Sequence, residues 1–211
     1  IAETAADFGL GSKTGIELPE SAGNLATPAY KQEKLGTSWY AADNIITAIG
    51  QGYNLFTPLQ LANYVATIAN GGMVYSTTIL GTIRSTDYSS VVFEQRPDAL
   101  REITGAEYLP LIQRGMQEVS KSGTAKSVFG DYPIPVASKT GTVQREGASA
   151  ELNNGVFVCY APADNPEIAI ALVVEKGTSG ATIMHIARDI LDFYFREEPK
   201  ATVAADNTLL P

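Results

Sequence analysis

Cysteine, histidine and tryptophan each occur only once in the 211 residues, and each scarcity closes off a kind of chemistry. Cys159 has no second thiol to pair with, so no disulfide can form within the chain. It lies in the apolar run Val156-Phe157-Val158-Cys159-Tyr160, which predicts a buried, inert thiol rather than a nucleophile. His185 falls on a late amphipathic segment with no metal constellation around it, so a surface or core-edge role is expected. Long hydrophobic runs are also missing. The longest clear one covers residues 168–174, far short of the ~20 needed to span a bilayer as a helix. No secretory leader pattern opens the chain. It starts at Ile1 on what reads as the last turn of a helix, and the expectation is a piece of something longer. Positive charge is scarce: 15 Lys and Arg face 23 Asp and Glu, for a net charge of −8 and a pI near 4.7. That balance argues against a nucleic-acid partner, which favours a basic face. Apolar residues are plentiful instead. They make up 45% against 18% charged, enough for a packed core in one ordinary domain.

The stretch with most chemical content is Lys139-Thr140-Gly141-Thr142, inside residues 136–144. Lys139 offers a point charge for a carboxylate or a neighbouring hydroxyl. Gly141 carries no side chain, so an extended peptide can lie along the strand edge by β-augmentation. Thr140 and Thr142 share a face by the period-two rule and can hydrogen-bond an anion. The backbone N–H of Thr142 is a candidate oxyanion donor, because strand amides are rigid and pre-aimed. Three letters are weak evidence, since Lys13-Thr14-Gly15 repeats them. That copy lies among glycines and ahead of Pro19, a loop context. Only the second copy has the strand the chemistry requires. Glu20, Glu33 and Glu146 form no acid pair and are expected as solvated charges. For Arg145 and Glu146, beside the motif, contact with substrate and a solvent-facing position both stay open.

In chain order, residues 2–8 predict a helix end stopped by Gly9 and Gly11, and residues 19–37 a long polar excursion. Ile45, Ile46 and Ile49 precede a Gly50-Gln51-Gly52 turn. Thr57-Pro58 supplies an N-cap with proline at the first helical position, and Gly71-Gly72 a stop. Between them Leu61, Val65 and Ile68 predict a largely buried helix. Residues 74–84 and 90–94 read as paired strands around Thr86-Asp87. Thr104-Gly105-Ala106-Glu107 has the form of a capping box, opening a helix with Leu109, Ile112, Met116 and Val119 inward. Strands follow at 136–143, 155–162 and 167–175, the last two joined by a turn at Ala163-Asp164-Asn165-Pro166. Residues 182–195 predict a helix with Ile183, Ile186, Ile190 and Phe193 on its core face. The fold class is α+β, an antiparallel sheet packed between helices.

Three landmarks together resemble the transpeptidase domains of penicillin-binding proteins. They are Phe8-Gly9-Leu10-Gly11 through Pro19, Ile49-Gly50-Gln51-Gly52 followed by Thr57-Pro58-Leu59-Gln60-Leu61-Ala62, and Ser138-Lys139-Thr140-Gly141-Thr142-Val143-Gln144. Trp39-Tyr40 resembles the elongation-type, class B members. The resemblance implies residues 1–196 as the C-terminal portion of such a domain and residues 197–211 as a surface-lying tail. It implies peptidoglycan stem peptides as substrates, β-lactams as inhibitors, no cofactor and no metal. It also implies an extracytoplasmic catalytic domain at the cell membrane, with possible cell-wall elongation membrane proteins as partners. Lys139 and Thr142 would be catalytic; Thr140, Gly141 and Thr142 would bind substrate. The family's Ser-x-x-Lys and Ser-x-Asn motifs occur nowhere in the chain. The resemblance puts them, and two further strands of the sheet, upstream of Ile1. A related serine hydrolase (D,D-carboxypeptidase or β-lactamase) and a β-lactam-sensing domain remain as alternatives.

Overall fold

A computed structural model describes residues 1–144, 147 and 149–196. The expectations for Arg145, Glu146 and the tail at 197–211 therefore fall outside the described residues. Helix α1 (Ala2–Asp7) ends, as expected, before Gly9 at φ 86° and Gly11 at φ 77°. The polar excursion at 19–37 is corrected. It contains a helix, α2 (Pro28–Leu35), capped by the Thr27 hydroxyl on the Tyr30 N–H at 3.1 Å and closed by Gly36 in the left-handed region. Thr27-Pro28 repeats the start signal of Thr57-Pro58, but Lys31, Gln32, Glu33 and Lys34 supply no apolar period behind it.

Helix α3 (Ala41–Ala48) follows, tied to α2 by the Lys31–Asp43 ion pair at 2.7 Å, both residues being buried. Asp43 also accepts from the Tyr40 N–H, and the Lys31 ammonium lies 4.9 Å from the Tyr40 ring centre and 5.8 Å from that of Tyr53. The Asp43 hydrogen bond raises the lysine's pKa, and the Lys31 contact lowers the aspartate's. Helix α4 (Pro58–Ala69) begins at a reciprocal capping box. The Thr57 N–H donates to Gln60 Oε1 and the Gln60 N–H to Thr57 Oγ1. Val65 and Ile68 are buried as expected, while Leu61 is half-buried.

Four short strands come next: β1 (Met73–Tyr75), β2 (Thr82–Arg84), β3 (Val91–Glu94) and β4 (Ala99–Glu102). β2 and β3 pair as the expected hairpin, but residues 74–84 are not one strand, because β1 pairs with β4 instead. The capping box expected at Thr104 does not form. Gly105 in the left-handed region opens a 3₁₀ turn, and the Thr104 N–H is taken by Asp7 Oδ2 at 2.6 Å. Helix α5 (Leu109–Lys121) buries Leu109 and Met116, whereas Ile112 is exposed. A short α6 (Lys126–Phe129) leads to β5 (Ala137–Val143), β6 (Asn154–Ala161) and β7 (Ile168–Val174).

These three strands form one antiparallel sheet in the order β5-β6-β7. Its alternation builds two cores. Phe157, Cys159 and Ala161 pack with Val136, Ile170 and the helix α7 (Gly180–Tyr194). Tyr160, with Ala137, packs on the opposite face against Val65 and Ile68 of α4 and Leu109 and Met116 of α5. Helices thus cover both faces, each fully buried Phe or Leu contributing about 1.5–3 kcal/mol. The core face of α7 is corrected. Ile183 is buried, but Ile186, Ile190 and Phe193 are exposed, and Met184, Ala187 and Leu191 take the inward positions.

Candidate functional site

Among the described residues the motif strand β5 lies at an edge of its sheet, paired on one side only. Gly141 faces Val156 of β6, Thr140 faces Phe157 and Thr142 faces Gly155. The two threonines therefore share the α7 face, as expected, while Lys139 opposite Val158 is on the other. Lys139 and Thr142 are exposed, Thr140 and Gly141 half-buried.

Direction along the edge matters as much as face. A strand residue points its N–H and C=O to the same side, and successive residues alternate. Thr140 O accepts from Lys139 Nζ at 2.7 Å, and Thr142 O accepts from Gln51 Nε2 at 3.3 Å. Both carbonyls point away from β6. The Thr142 N–H therefore also points outward, where an added strand or an oxyanion could meet it. Gly141 points its polar groups inward, to the β6 ladder.

Two neighbours hold this strand in place. Helix α7 begins hard against it: a Cβ on Gly180 would lie 2.7 Å from Gly141 N and 2.8 Å from Gly141 O, and nearer still to Val156 O. Only glycine permits that approach. The turn after α5 brings Thr124 Oγ1 to 3.1 Å from Thr140 Oγ1. Deeper, Ser120 and Ser138 share a buried hydroxyl–hydroxyl bond of 2.7 Å, tying the end of α5 to the strand. Gln51, Thr124 and Gly180 did not emerge from the sequence as site residues. For Gln51 the available signal was its place between two glycines.

The first triplet sits elsewhere, in a loop. The Glu20 carboxylate accepts from the Thr14 N–H, the Thr14 hydroxyl and the Gly15 N–H at 2.8–2.9 Å. Its pKa is lowered, burial opposing these bonds and Lys13 adding to them. Glu20 is thus a loop clamp and not the free solvated charge expected. Gln60, almost fully buried, donates from Nε2 to Ser12 O at 2.6 Å and Ala22 O at 2.8 Å, anchoring the same loop to α4. Burial pushes the Cys159 thiol up to about 12, so it stays protonated and unreactive. His185 is exposed on α7. Among the described residues no three His, Cys, Asp or Glu side chains cluster as metal ligands, and no helix is long and apolar enough to cross a membrane.

A model of the penicillin binding protein transpeptidase domain matches residues 1–192. The chain belongs to that family. Similar proteins include penicillin-binding protein 2A of Bacillus subtilis, 34% identical over 92% of this chain and 28% of that protein. Peptidoglycan D,D-transpeptidase MrdA of Escherichia coli is 29% identical over 98% of this chain and 35% of that protein. The chain thus spans about a third of the length of these curated relatives. Among solved structures, Pseudomonas aeruginosa PBP2 in complex with WCK 5153 superposes with a TM-score of 0.76. The two are 29% identical, over 95% of this chain and 45% of that one. Helicobacter pylori PBP2, in its complex with MreC, gives 0.74 at 26% identity, over 92% of this chain and 36% of that one.

Proposed function

We propose that this chain forms one wall of a serine-type peptidoglycan D,D-transpeptidase whose nucleophile is carried by another part of the intact protein. The serine hydroxyl adds to the carbonyl of a D-alanyl-D-alanine bond. That C–N bond then breaks, and the departing D-alanine amine takes a proton. An amine from a neighbouring stem peptide next attacks the ester, forming the cross-link and returning the serine. A β-lactam acylates the same serine through its strained amide.

Within this scheme Lys139 supplies positive charge to the hydroxyl network and the ligand carboxylate. Thr140 and Thr142 hydrogen-bond that carboxylate. Gly141 leaves the edge open to the peptide, and the Thr142 N–H receives the developing oxyanion. The observation that carries this reading is the outward direction of Thr142 on an edge strand, since an amide spent in the ladder could serve no ligand. By family resemblance, the intact protein is proposed to sit at the cell membrane with this domain on the extracytoplasmic side. Cell-wall membrane proteins are proposed as its partners, as the H. pylori complex with MreC suggests for a relative.

Comparing Lys139→Ala with Lys13→Ala in the intact protein tests the assignment. A preorganised charge at the reacting centre is worth on the order of 3 kcal/mol. Stopped-flow acylation by a fluorescent penicillin should slow at least a hundredfold for Lys139→Ala and hardly change for Lys13→Ala. Equal losses would mean the wrong triplet has been assigned.

A further inference from the structure

We infer that Gln51 is a placeholder on the ligand-binding edge of β5. Its side-chain amide donates to Thr142 O the hydrogen bond that a backbone N–H of a bound peptide would donate. The inference rests on the reading of that edge given under the proposed function. It adds a residue that competes with ligand and is not part of the motif.

The loop that carries Gln51 is built to aim it. Helix α3 closes with two reinforcing bonds, Gly50 N–H to Thr47 O at 3.0 Å and Gln51 N–H to Ile46 O at 3.1 Å. This is the Schellman arrangement, and it requires the left-handed φ of 79° at Gly50. Gly52, at φ 83°, turns the chain back so closely that a Cβ there would sit 3.1 Å from Ile46 Cγ2. The far end of α3 is pinned by Asp43, through the Tyr40 N–H and Lys31. Gln51 therefore projects from a fixed helix end and reaches a strand 91 positions away in sequence.

The contact itself suits temporary occupancy. At 3.3 Å and partly exposed, it is a long hydrogen bond, of the strength a competing amide can displace. A carboxamide N–H has the same donor chemistry as a peptide N–H. The adjacent outward carbonyl, Thr140 O, is likewise met by a side chain, Lys139. The outward carbonyls of Thr140 and Thr142 are thus both occupied, which disfavours unwanted strand pairing there.

A pair of ligands isolates this role. One is an N-acyl peptide ending in D-alanyl-D-alanine. The other replaces the amide N–H before the penultimate D-alanine with an ester oxygen, leaving the shape nearly unchanged. Each is titrated against fluorescent-penicillin acylation of the intact protein, in wild type, Gln51→Ala and Gln51→Met. Met preserves side-chain bulk and removes only the donor. The amide peptide should bind about threefold more tightly to both variants, and the ester peptide equally to all three proteins. Equal changes for the two ligands would show that Gln51 merely supports the strand and would overturn the inference. Weaker binding of the amide peptide to the variants, or no change, also overturns it. If fluorescent penicillin fails to label even the wild-type protein, the reading of the edge falls first and the placeholder falls with it.

Discussion

At the scale of single residues, the role proposed for Thr142 rests on its backbone more than on its side chain. Because its N–H points away from β6, proline at this position costs the sheet no ladder bond, as is tolerated on edge strands. Thr142→Pro should therefore give a protein that still melts cooperatively but acylates at least a hundredfold more slowly, the cost of an oxyanion donor. Thr142→Ser keeps both the N–H and the hydroxyl and should stay within a few-fold of wild type. Stopped-flow rates paired with thermal melts decide it; a folded Thr142→Pro protein that acylates normally removes the N–H from the mechanism. The strand that carries Lys139-Thr140-Gly141-Thr142 was legible in the sequence, because extended patterning is local. Gln51 and Thr124 were not, since what they do depends on Thr142 and Thr140 being brought beside them by the fold. The Glu20 clamp escaped for the same reason: its partners are two backbone amides and the Thr14 hydroxyl, which the loop's fold brings to it.

At the scale of elements, the sheet and its flanking helices could be read from alternation and helical period, and β5, β6 and β7 came out within a residue or two. Helix α2 did not, because its start signal leads into a charged segment with no apolar face to read. The inward face of α7 was misassigned for a different reason. Its sequence carries two apolar stripes, and the one that wins contains small Ala187, while larger Ile186 and Ile190 stay outside. The fully buried Ala187 lies on the inward stripe, and at the helix start there is no room for a Cβ on Gly180 against Val156 and Gly141. Gly180→Ala should accordingly push the helix start off β5 and β6, at a cost of about 1–3 kcal/mol of overpacking. The same change should slow acylation, because Gly141 lies directly beneath. Denaturant melts and acylation rates on one preparation would check both. An alanine variant as stable and as fast as wild type would mean the helix start is free to shift.

At the scale of the whole molecule, the 211-residue chain holds the motif strand and its supports, but no serine followed three positions later by lysine. A threonine hydroxyl becomes a nucleophile only when a positioned base or a lowered pKa activates it. The chain expressed alone should give no fluorescent band on a denaturing gel after incubation with labelled penicillin; a band at its own mass would reveal a nucleophile elsewhere in it. It should also self-associate, since Ile186, Ile190, Phe193 and Tyr194 all lie exposed along α7. Sedimentation velocity of the isolated chain would measure that. The buried Cys159 bears on how the edge of β5 could be labelled. Its thiol is fully enclosed between the sheet and α7, and burial holds it protonated to about pH 12. Maleimide dyes and nitroxide spin labels, which need an accessible thiolate, should leave it unmodified in the folded state. A cysteine introduced on the surface would then be the one reactive thiol this chain presents, and its label could report on the edge of β5 without first removing Cys159.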